Sequence, residues 1–548
     1  MKIEKFAGAP FHLDATGLAW VRASFERLAP DDKVRQLFCP RMRGNDPAEI
    51  QRLAGFRPGS MIRMAGLDRA EELALIARFN DLAPVPLLVS ADLEGSRMSL
   101  PGATVVPNPL ALAAIDDVAV TEAIGAIMAE EALASGINWT LTPVLDINAA
   151  FRSAIVATRG FGSDVETIER HALAQMRVFQ AHGVAATVKH WPGEGYDDRD
   201  QHLVTTVNPL SMAEWEASFG RLYRAAIKAG AMSVMSAHIA LPAFAREMGA
   251  EGVELFRPAS ISRHLTQVLL RERLGFEGLI VSDATGMAGL NSWSSRRDYL
   301  PEVVAAGSDI ILDPADVEAD RQIIEEALAD GRLSWARVND AVMRQLAMKA
   351  AIGLHKADRL VPAPDMEANR LVAAAATKRA PTLVKDVQGL LPLDPKVHKR
   401  VLVLSGGVVM PFIPEPLPFA LPDMLRARGF DVTVFEPGGY IEPGQYDLMI
   451  YLFGEESLLT RNHIFLDWLK LGGHLGNAMA RYWSDVPTLM ISFGHPYYLY
   501  DAPRVPTYIN AYMTTETMQE AVVEALLGNV PWNQHSPVDP YVDEQSRY

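Results

Sequence analysis

The length, composition and charge of the chain limit the classes of protein to which it can belong. Its 548 residues, of which 49% are hydrophobic and 22% charged, are enough for two globular domains with buried cores. The formal net charge of −16 disfavours binding to the phosphates of a nucleic acid. Cys39 is the single cysteine, which excludes an intrachain disulfide, and we expect it to be a small buried hydrophobic residue.

Hydropathy bears on the location of the protein. The N-terminal sequence lacks the apolar core and small-residue cleavage site of a signal peptide, and the chain contains no apolar run long enough to cross a bilayer. We therefore expect a cytoplasmic protein with no membrane partner. No sequence pattern indicates its oligomeric state.

From about residue 85 to residue 315, the chain repeats one unit: an amphipathic helix, a glycine, a short apolar run and then polar residues. Capping boxes at Ser163/Glu166 and Ser211/Glu214 open two of the helices. The predicted strands lie at residues 85–89, 139–145, 184–188, 232–235 and 279–281. This α/β alternation predicts a parallel sheet covered by helices, and it favours a (β/α)8 TIM-type barrel over residues 1–355. A doubly wound open sheet is the alternative.

A second α/β domain is predicted after a linker over residues 356–380, where charges and prolines accumulate. This domain, residues 381–548, is expected to be a smaller α/β sandwich with a mainly parallel sheet. Its predicted strands lie at residues 401–404, 432–435, 448–452, 489–492 and 508–511.

Polar residues follow the predicted barrel strands at the end where the active sites of such barrels lie. These residues are Asp92, Lys189, His190, His238 and Asp283. Their placement favours a catalytic or binding role over a purely structural one. Structural alternatives are a helix N-cap for Asp283, an ion pair of Asp92 with Arg159, and a hydrogen-bonded core position for His238.

Residues 189–202, with the sequence KHWPGEGYDDRDQH, form the densest cluster of reactive side chains. The two glycines of this loop allow it to bend over a pocket and to bring Asp200 and His202 with it. An Asp two positions before a His can accept the ring N–H, which fixes the tautomer and raises the basicity of the other ring nitrogen. Taken alone, however, this tripeptide favours a solvated surface pair.

The same loop resembles the lysine–histidine, proline–glycine loop of glycoside hydrolase family 3, in particular that of its β-N-acetylglucosaminidase branch. Further segments are similar to the family's motifs in the same order. These segments are residues 91–97, 159–164, 236–239, 275–283, and 382–385 with 390–393. The resemblance therefore covers nearly the whole chain.

The resemblance implies a retaining β-N-acetylhexosaminidase that removes terminal β-linked N-acetylglucosamine. It implies that Asp283 is the nucleophile and that His202, oriented by Asp200, is the acid/base. The residues implied to bind the substrate are Asp92, Arg159, Lys189, His190, His238 and Glu194. No cofactor and no metal are expected, because no cluster of His and carboxylates has a convincing ligand spacing. The expected partner is a small carbohydrate, with muropeptides and peptidoglycan recycling as the setting that a cytoplasmic member of the branch implies.

Three positions depart from the pattern of the branch. Glu194 stands where histidine is usual, Gly160 replaces a serine, and Ser96 replaces a glycine. The substitution at Glu194 leaves the exact sugar preference open.

Other functions also stay open at this point. A neutral histidine base admits an anionic acceptor, so a β-N-acetylglucosaminide phosphorylase is one alternative. A β-glucosidase or β-xylosidase of the same family and a non-catalytic sugar-binding protein are the others. In the glucosidase case, Glu455 or Glu456 is the candidate acid/base.

Overall fold

The N-terminal domain of the chain forms a closed barrel of parallel strands. The computed structural model describes residues 3–64, 68–356, 361, 363–544 and 547. The strands in this domain are β1 (Phe38–Cys39), β2 (Arg41–Arg43), β3 (Ser60–Met64), β4 (Leu88–Ala91), β5 (Trp139–Thr140), β6 (Ala185–Trp191), β7 (Thr206–Val207), β8 (Ser233–Ser236), β9 (Ile239–Ala240), β10 (Leu279–Ser282) and β11 (Ile311–Leu312).

The order of the strands shows how the barrel closes. Seven strands pair in the order β10-β8-β6-β5-β4-β3-β2, and all these pairs are parallel. A bridge between Val281 and Ile310 joins β10 to the segment of β11, and β11 pairs in parallel with β1. β1 and β2 flank Pro40 and occupy a single position in the ring. The predicted eight-stranded barrel is therefore confirmed, and β7 and β9 form a short extra pair.

Helices cover the outside of this barrel, as the repeating unit predicts. They are α1 (Ala15–Arg27), α2 (Pro30–Gln36), α3 (Pro47–Phe56), α4 (Arg69–Leu82), α5 (Pro109–Ile115), α6 (Val118–Ala134), α7 (Val165–Ala181), α8 (Met212–Trp215), α9 (Arg221–Lys228), α10 (Pro242–Glu247), α11 (Ala288–Asn291), α12 (Arg296–Ala306), α13 (Val317–Ala329) and α14 (Trp335–Ala351). A π-helix spans His264–Arg273 and leads to β10. No helix among the described residues is long and apolar enough to span a membrane.

Only one of the two predicted capping boxes has the expected geometry. The Ser211 side chain accepts from the backbone of Glu214, and the Glu214 side chain accepts from the backbone of Ser211. At the start of α7, Asp164 is the cap instead of Ser163, and its carboxylate accepts the backbone N–H of Thr167 at 2.7 Å. A carboxylate one position later serves the orphan N–H groups of the first turn, so the helix begins one residue later than predicted.

The connection between the domains contains a helix, α15 (Met366–Thr377). Asp365 caps its N-terminus, and Asn369 donates to Glu131 of α6 at 2.9 Å. The linker predicted over residues 356–380 therefore includes a segment that packs on the barrel. Residues 357–360 and 362 of that linker lie outside the described residues.

The second domain is built on a six-stranded, mainly parallel sheet, which confirms the predicted fold class. Its strands are β12 (Thr382–Asp386), β13 (Arg400–Val409), β14 (Asp431–Val434), β15 (Leu448–Glu455), β16 (Thr488–Ser492) and β17 (Thr507–Asn510). Its helices are α16 (Leu421–Ala427), α17 (Trp468–Gly472), α18 (Leu475–Met479) and α19 (Glu516–Leu526). The strand order is β12-β17-β16-β15-β13-β14, and only β12 runs antiparallel to its neighbour. The five predicted strands are present, whereas the edge strand β12 is not predicted by the apolar pattern.

Candidate active site

Asp283 lies directly after β10, at the carboxyl end of a fully buried strand. Its backbone N–H donates to the carbonyl of Ser236 at the end of β8, and its Oδ1 accepts the N–H of Ala284 at 2.7 Å. Burial raises the pKa of Asp283, but the nearby imidazoles of His238, His190 and His202 more than offset this effect, so the net pKa is below its usual value. The side chain is therefore an ionised carboxylate in a nearly dry setting, which is the state that a nucleophile requires.

His202 and Asp200 form a hydrogen-bonded pair, as the sequence pattern predicts. Asp200 Oδ1 lies 2.7 Å from His202 Nδ1 and also accepts the backbone N–H of His202 at 2.8 Å. Asp200 is completely buried, whereas the His202 side chain keeps 23% of its exposure. Because the carboxylate holds the proton on Nδ1, the Nε2 atom of His202 is the position left for proton exchange.

The second domain holds the loop that carries this pair. Asp200 Oδ2 accepts the backbone N–H of Thr460 at 2.7 Å, and His463 Nε2 lies 2.9 Å from Asp198 Oδ2. The other side of the loop is fixed to the barrel, where the His202 carbonyl accepts the N–H of Ala288 at 2.9 Å. The pair is therefore tied both to the second domain and to the segment that follows Asp283.

One glycine of the loop is required by close backbone packing. Gly195 has φ of +112°, and a Cβ at this position would lie 1.8 Å from the carbonyl oxygen of Ile147. The Gly195 carbonyl also accepts the N–H groups of Ala149 and Ala150. Here the glycine allows one loop to lie against another, and its predicted role as a hinge stays a prediction.

A buried network of charges stands at the barrel mouth. Lys189 Nζ lies 2.9 Å from Asp92 Oδ1 and 2.6 Å from Glu94 Oε1. Arg159 makes a two-point contact with Glu94, at 2.7 and 3.0 Å. Burial raises the pKa of Glu94, but Arg159 and Lys189 outweigh it and leave the pKa well below its usual value. The negative charge of Glu94 is thus balanced by two protein cations. The Asp92 side chain, by contrast, remains 30% exposed and able to bind a ligand.

His190 is held between two charged partners. Its Nδ1 lies 2.6 Å from Asp146 Oδ2, and its Nε2 lies 3.3 Å from Arg159 Nη2. Since the guanidinium only donates, Nε2 accepts a hydrogen bond from Arg159. Nδ1 therefore carries the ring proton and donates a hydrogen bond to Asp146. Asp146 also accepts the backbone N–H groups of His190 and Glu194. Sequence reasoning missed Asp146 as a site residue, although its position after a predicted strand could have identified it.

Glu194 lies in the same site and is almost completely buried. Its Oε2 accepts from Gln201 Nε2 at 3.0 Å, while its Oε1 has no hydrogen-bond partner among the described residues. Burial raises the pKa of Glu194 well above its usual value, and the nearby carboxylates of Asp146, Asp200 and Asp283 raise it further. Burial therefore favours the protonated form of Glu194, in which the carboxyl group can donate a hydrogen bond.

Asp146, His190 and Glu194 present ligand atoms within 4.8 Å of one another, which is close enough for a metal ion. Two of these three atoms, one from Asp146 and one from His190, are already joined by a short hydrogen bond, which explains their proximity without a metal. The expectation that no metal is needed stays a prediction.

His238 is completely buried, and both of its ring nitrogens have protein partners. Nδ1 lies 2.9 Å from Ser260 Oγ, and Nε2 lies 3.0 Å from the carbonyl of Ala284. Burial lowers the pKa of His238, although the Asp283 carboxylate opposes this shift. This geometry favours the structural alternative, in which His238 supports the segment after Asp283 and leaves no ring nitrogen for a sugar.

Both domains line a cavity of about 320 Å³ beside Asp92 and Arg159. Met410, Phe412 and Glu456 of the second domain contribute to it, whereas Asp283 and His202 are not among the lining residues. Glu456 Oε1 accepts from Ser96 Oγ, Thr514 N and Thr514 Oγ1, at 2.7 to 2.9 Å. Of the two glutamates proposed as an alternative acid/base, Glu456 thus binds the two domains together, and Glu455 does not line this cavity.

Comparison with known proteins shows the family to which this chain is related. The family model described as glycosyl hydrolase family 3 N terminal domain matches residues 30–348. A β-N-acetylglucosaminidase/β-glucosidase from Cellulomonas fimi is 37% identical over an alignment of 568 positions, which covers 97% of this chain and 98% of the relative. A β-hexosaminidase from Xylella fastidiosa is 32% identical over 296 residues, which cover 52% of this chain and 82% of the relative.

Solved structures resemble the chain over nearly its full length. The β-glucoside phosphorylase BglX has a TM-score of 0.92 and 32% identity, with complete coverage of both chains. A family 3 β-N-acetylglucosaminidase from Paenibacillus has a TM-score of 0.79 and 25% identity, over 94% of this chain and all of that one. The barrel and the second domain therefore occur together in known enzymes that act on glycosides.

Proposed function

The chain belongs to glycosyl hydrolase family 3, and from that premise we propose that it is a retaining β-N-acetylhexosaminidase. Its substrate would be a terminal β-linked N-acetylglucosamine. The observation that carries the proposal is the Asp200–His202 pair, with its 2.7 Å hydrogen bond, positioned in the same site as the ionised Asp283.

The first step is attack by Asp283 on the anomeric carbon. The carboxylate is held by the N–H of Ala284 and lies in the field of three imidazoles, so it stays ionised at neutral pH. A bond forms between an Asp283 oxygen and the anomeric carbon as the bond to the leaving oxygen breaks. The product is a glycosyl-enzyme, and its formation and later hydrolysis give net retention of configuration.

His202 supplies the proton that the leaving oxygen requires. Its imidazolium donates from Nε2, while Asp200 holds the Nδ1 proton and stabilises the charged ring. In the second step, the neutral ring accepts a proton from water as that water attacks the anomeric carbon. Histidine suits both steps because its ordinary pKa lies near neutrality.

The charged network at the barrel mouth would bind the sugar hydroxyls. Asp92 offers an accessible carboxylate, and Lys189 and Arg159 fix the surrounding charges. Glu194, as a neutral acid with one unpartnered oxygen, would donate a hydrogen bond in the position where the branch usually has histidine. The roles of these residues, the use of muropeptides as substrates and the cytoplasmic location are all parts of the proposal.

A substrate panel tests this proposal. The nitrophenyl β-glycosides of N-acetylglucosamine, glucose and xylose are compared at equal concentration, in buffer without phosphate. We expect the highest kcat/KM for the N-acetylglucosaminide. A higher value for the glucoside or xyloside would assign the enzyme to another specificity, and no turnover of any glycoside would favour a sugar-binding protein.

A second candidate function is a glycoside phosphorylase. Its support is the likeness to the β-glucoside phosphorylase BglX over the full chain, together with a histidine acid/base that places no carboxylate charge beside the incoming acceptor. Phosphate would then attack the glycosyl-enzyme and release a sugar 1-phosphate. The measurement is the ratio of sugar 1-phosphate to free sugar in the presence of phosphate, with sulfate as the ionic-strength control. A dominant sugar 1-phosphate would favour this candidate over hydrolysis.

A further inference from the structure

The second domain has a cavity of its own, which no part of the proposed reaction uses. It has a volume of about 370 Å³ and lies at the carboxyl ends of β13 and β15. The lining residues come only from the second domain and include Gly406, Gly407 and Gly454 near the strand ends. This volume falls within the usual range for small-molecule sites.

The topology of the sheet places the cavity at a characteristic position. From β13, the chain first adds β14 on one side and then returns to add β15 on the other side. The direction of winding therefore reverses between β13 and β15. In open parallel sheets, ligands bind in the crevice at the carboxyl ends of the strands where such a reversal occurs.

The lining combines aromatic and aliphatic surface with a half-buried carboxyl group. Glu455 is the last residue of β15, and its Oε2 accepts a hydrogen bond from the Tyr498 hydroxyl. Phe453 and Leu471 are buried walls of the cavity, and Phe465 is an exposed ring among the lining residues. A ligand in the cavity would therefore meet apolar faces together with a hydrogen-bonding group.

The charges narrow the class of ligand. Two carboxyl groups, Glu455 and Asp467, stand against one cation, Lys470, so the cavity disfavours phosphate and other anions. Moreover, no helix begins directly after β13: α16 starts at Leu421, which leaves no helix N-terminus at that strand end to receive a phosphate group. A pyranose fits both features, because its C–H faces pack on aromatic rings and its hydroxyls bind carboxyl groups.

We propose that this cavity is a second, non-catalytic binding site for a single neutral pyranose. The site lies next to the cavity between the domains. Val409 and Glu455 line the second-domain cavity, and the next residues, Met410 and Glu456, line the cavity between the domains. A sugar bound at Glu455 would thus contact the same strand ends that present Met410 and Glu456 to the barrel.

Calorimetric titration with N-acetylglucosamine and with glucose tests this site in the full chain. Three variants separate the two cavities: Glu455→Gln keeps the volume of the second-domain cavity, Leu471→Trp fills it, and Asp92→Ala weakens the barrel site. We expect two sites in the wild type. Glu455→Gln should weaken one of them about tenfold, which is the value of one hydrogen bond to the sugar. Asp92→Ala should weaken only the other site.

Crystals of Asp92→Ala soaked with each sugar then locate the remaining ligand, which we expect against Glu455. A single site that Asp92→Ala removes and that Glu455→Gln leaves unchanged would overturn the inference, as would binding of inorganic phosphate instead of sugar in the cavity. Failure of the proposed function would look different: the site at Glu455 would persist in a protein that cleaves no glycoside.

Discussion

Replacing Asp200 with asparagine tests the proposed proton transfer most directly, because Asp200 is completely buried and accepts from two different elements. Oδ1 serves the ring and the backbone of His202, and Oδ2 serves the backbone N–H of Thr460. An amide cannot serve both sides, because only one of its two terminal atoms accepts a hydrogen bond.

Either orientation of the amide has a cost. With the amide oxygen towards His202, the NH2 group opposes the N–H of Thr460, and a buried donor loses its partner at about 1–3 kcal/mol. With the amide reversed, the NH2 group faces Nδ1 and forces the proton onto Nε2, which gives the wrong tautomer for accepting a proton. We therefore expect kcat/KM to fall about tenfold to a hundredfold on substrates with poor leaving groups.

The assay compares an alkyl glycoside with a nitrophenyl glycoside of the same sugar. A nitrophenolate departs without a proton, so the first step on its glycoside, measured as kcat/KM or as the initial burst of nitrophenolate, should be nearly unaffected in Asp200→Asn and in His202→Ala. His202→Ala should show the larger loss on the alkyl glycoside, about 10²- to 10⁴-fold, because the whole acid/base is removed. His182→Ala is the matched control, since His182 lies at the end of α7 on the outside of the barrel.

Trapping of the intermediate gives a second readout of the same step. In His202→Ala, the glycosyl-enzyme on Asp283 should persist, because water is no longer activated, and azide should restore turnover and yield a β-glycosyl azide. Equal losses of kcat/KM on good and poor leaving groups in both variants would refute the reasoning. His202 and Asp200 would then act in binding only, and Glu194 would be the next candidate for the proton donor.

The remaining predictions concern other groups of the site. Asp283→Asn should abolish turnover and leave the circular dichroism spectrum unchanged, and activity within about tenfold of wild type would exclude Asp283 as the nucleophile. Because the folded pKa of Glu194 is raised, its ionisation removes stability as the pH rises from the unfolded pKa through the folded one. Glu194→Gln should therefore be more stable than wild type at pH 8 and lose that advantage at pH 4 in denaturant titrations. Activity should survive a chelator, and a loss that a divalent ion restores would contradict the metal-free mechanism.

The sequence predicted the fold well, because strand and helix signals are local. Apolar runs and helix caps identified five barrel strands after residue 85 and all five parallel strands of the second domain, but not the two-residue strand β11 that closes the barrel. β12 was harder to identify, since it is an antiparallel edge strand in which three of the five residues are only half-buried. The predicted cap at Ser163 was wrong by one residue, because the neighbouring Asp164 offers an equally suitable acceptor.

The site was predicted as a set of residues but not as a network. The sequence pattern paired Asp200 with His202, and the structure confirms their contact. The partner of Arg159, by contrast, is Glu94 and not Asp92, and Asp146 emerges as the acceptor for His190. These pairings join residues that lie far apart in the chain, so no local pattern contains them.

The hydrogen bond from Thr460 to Asp200 also affects the stability that an activity assay measures. A partial opening of the second domain would release Asp200 while leaving the barrel and Asp283 in place. Under mild urea, such a molecule would still release the initial burst of nitrophenolate from activated chromogenic substrates but would fail on natural glycosides with poor leaving groups. Two substrates would thus report two different inactivation midpoints for one protein, and a chromogenic assay alone would overstate the range of conditions in which the enzyme does its natural work.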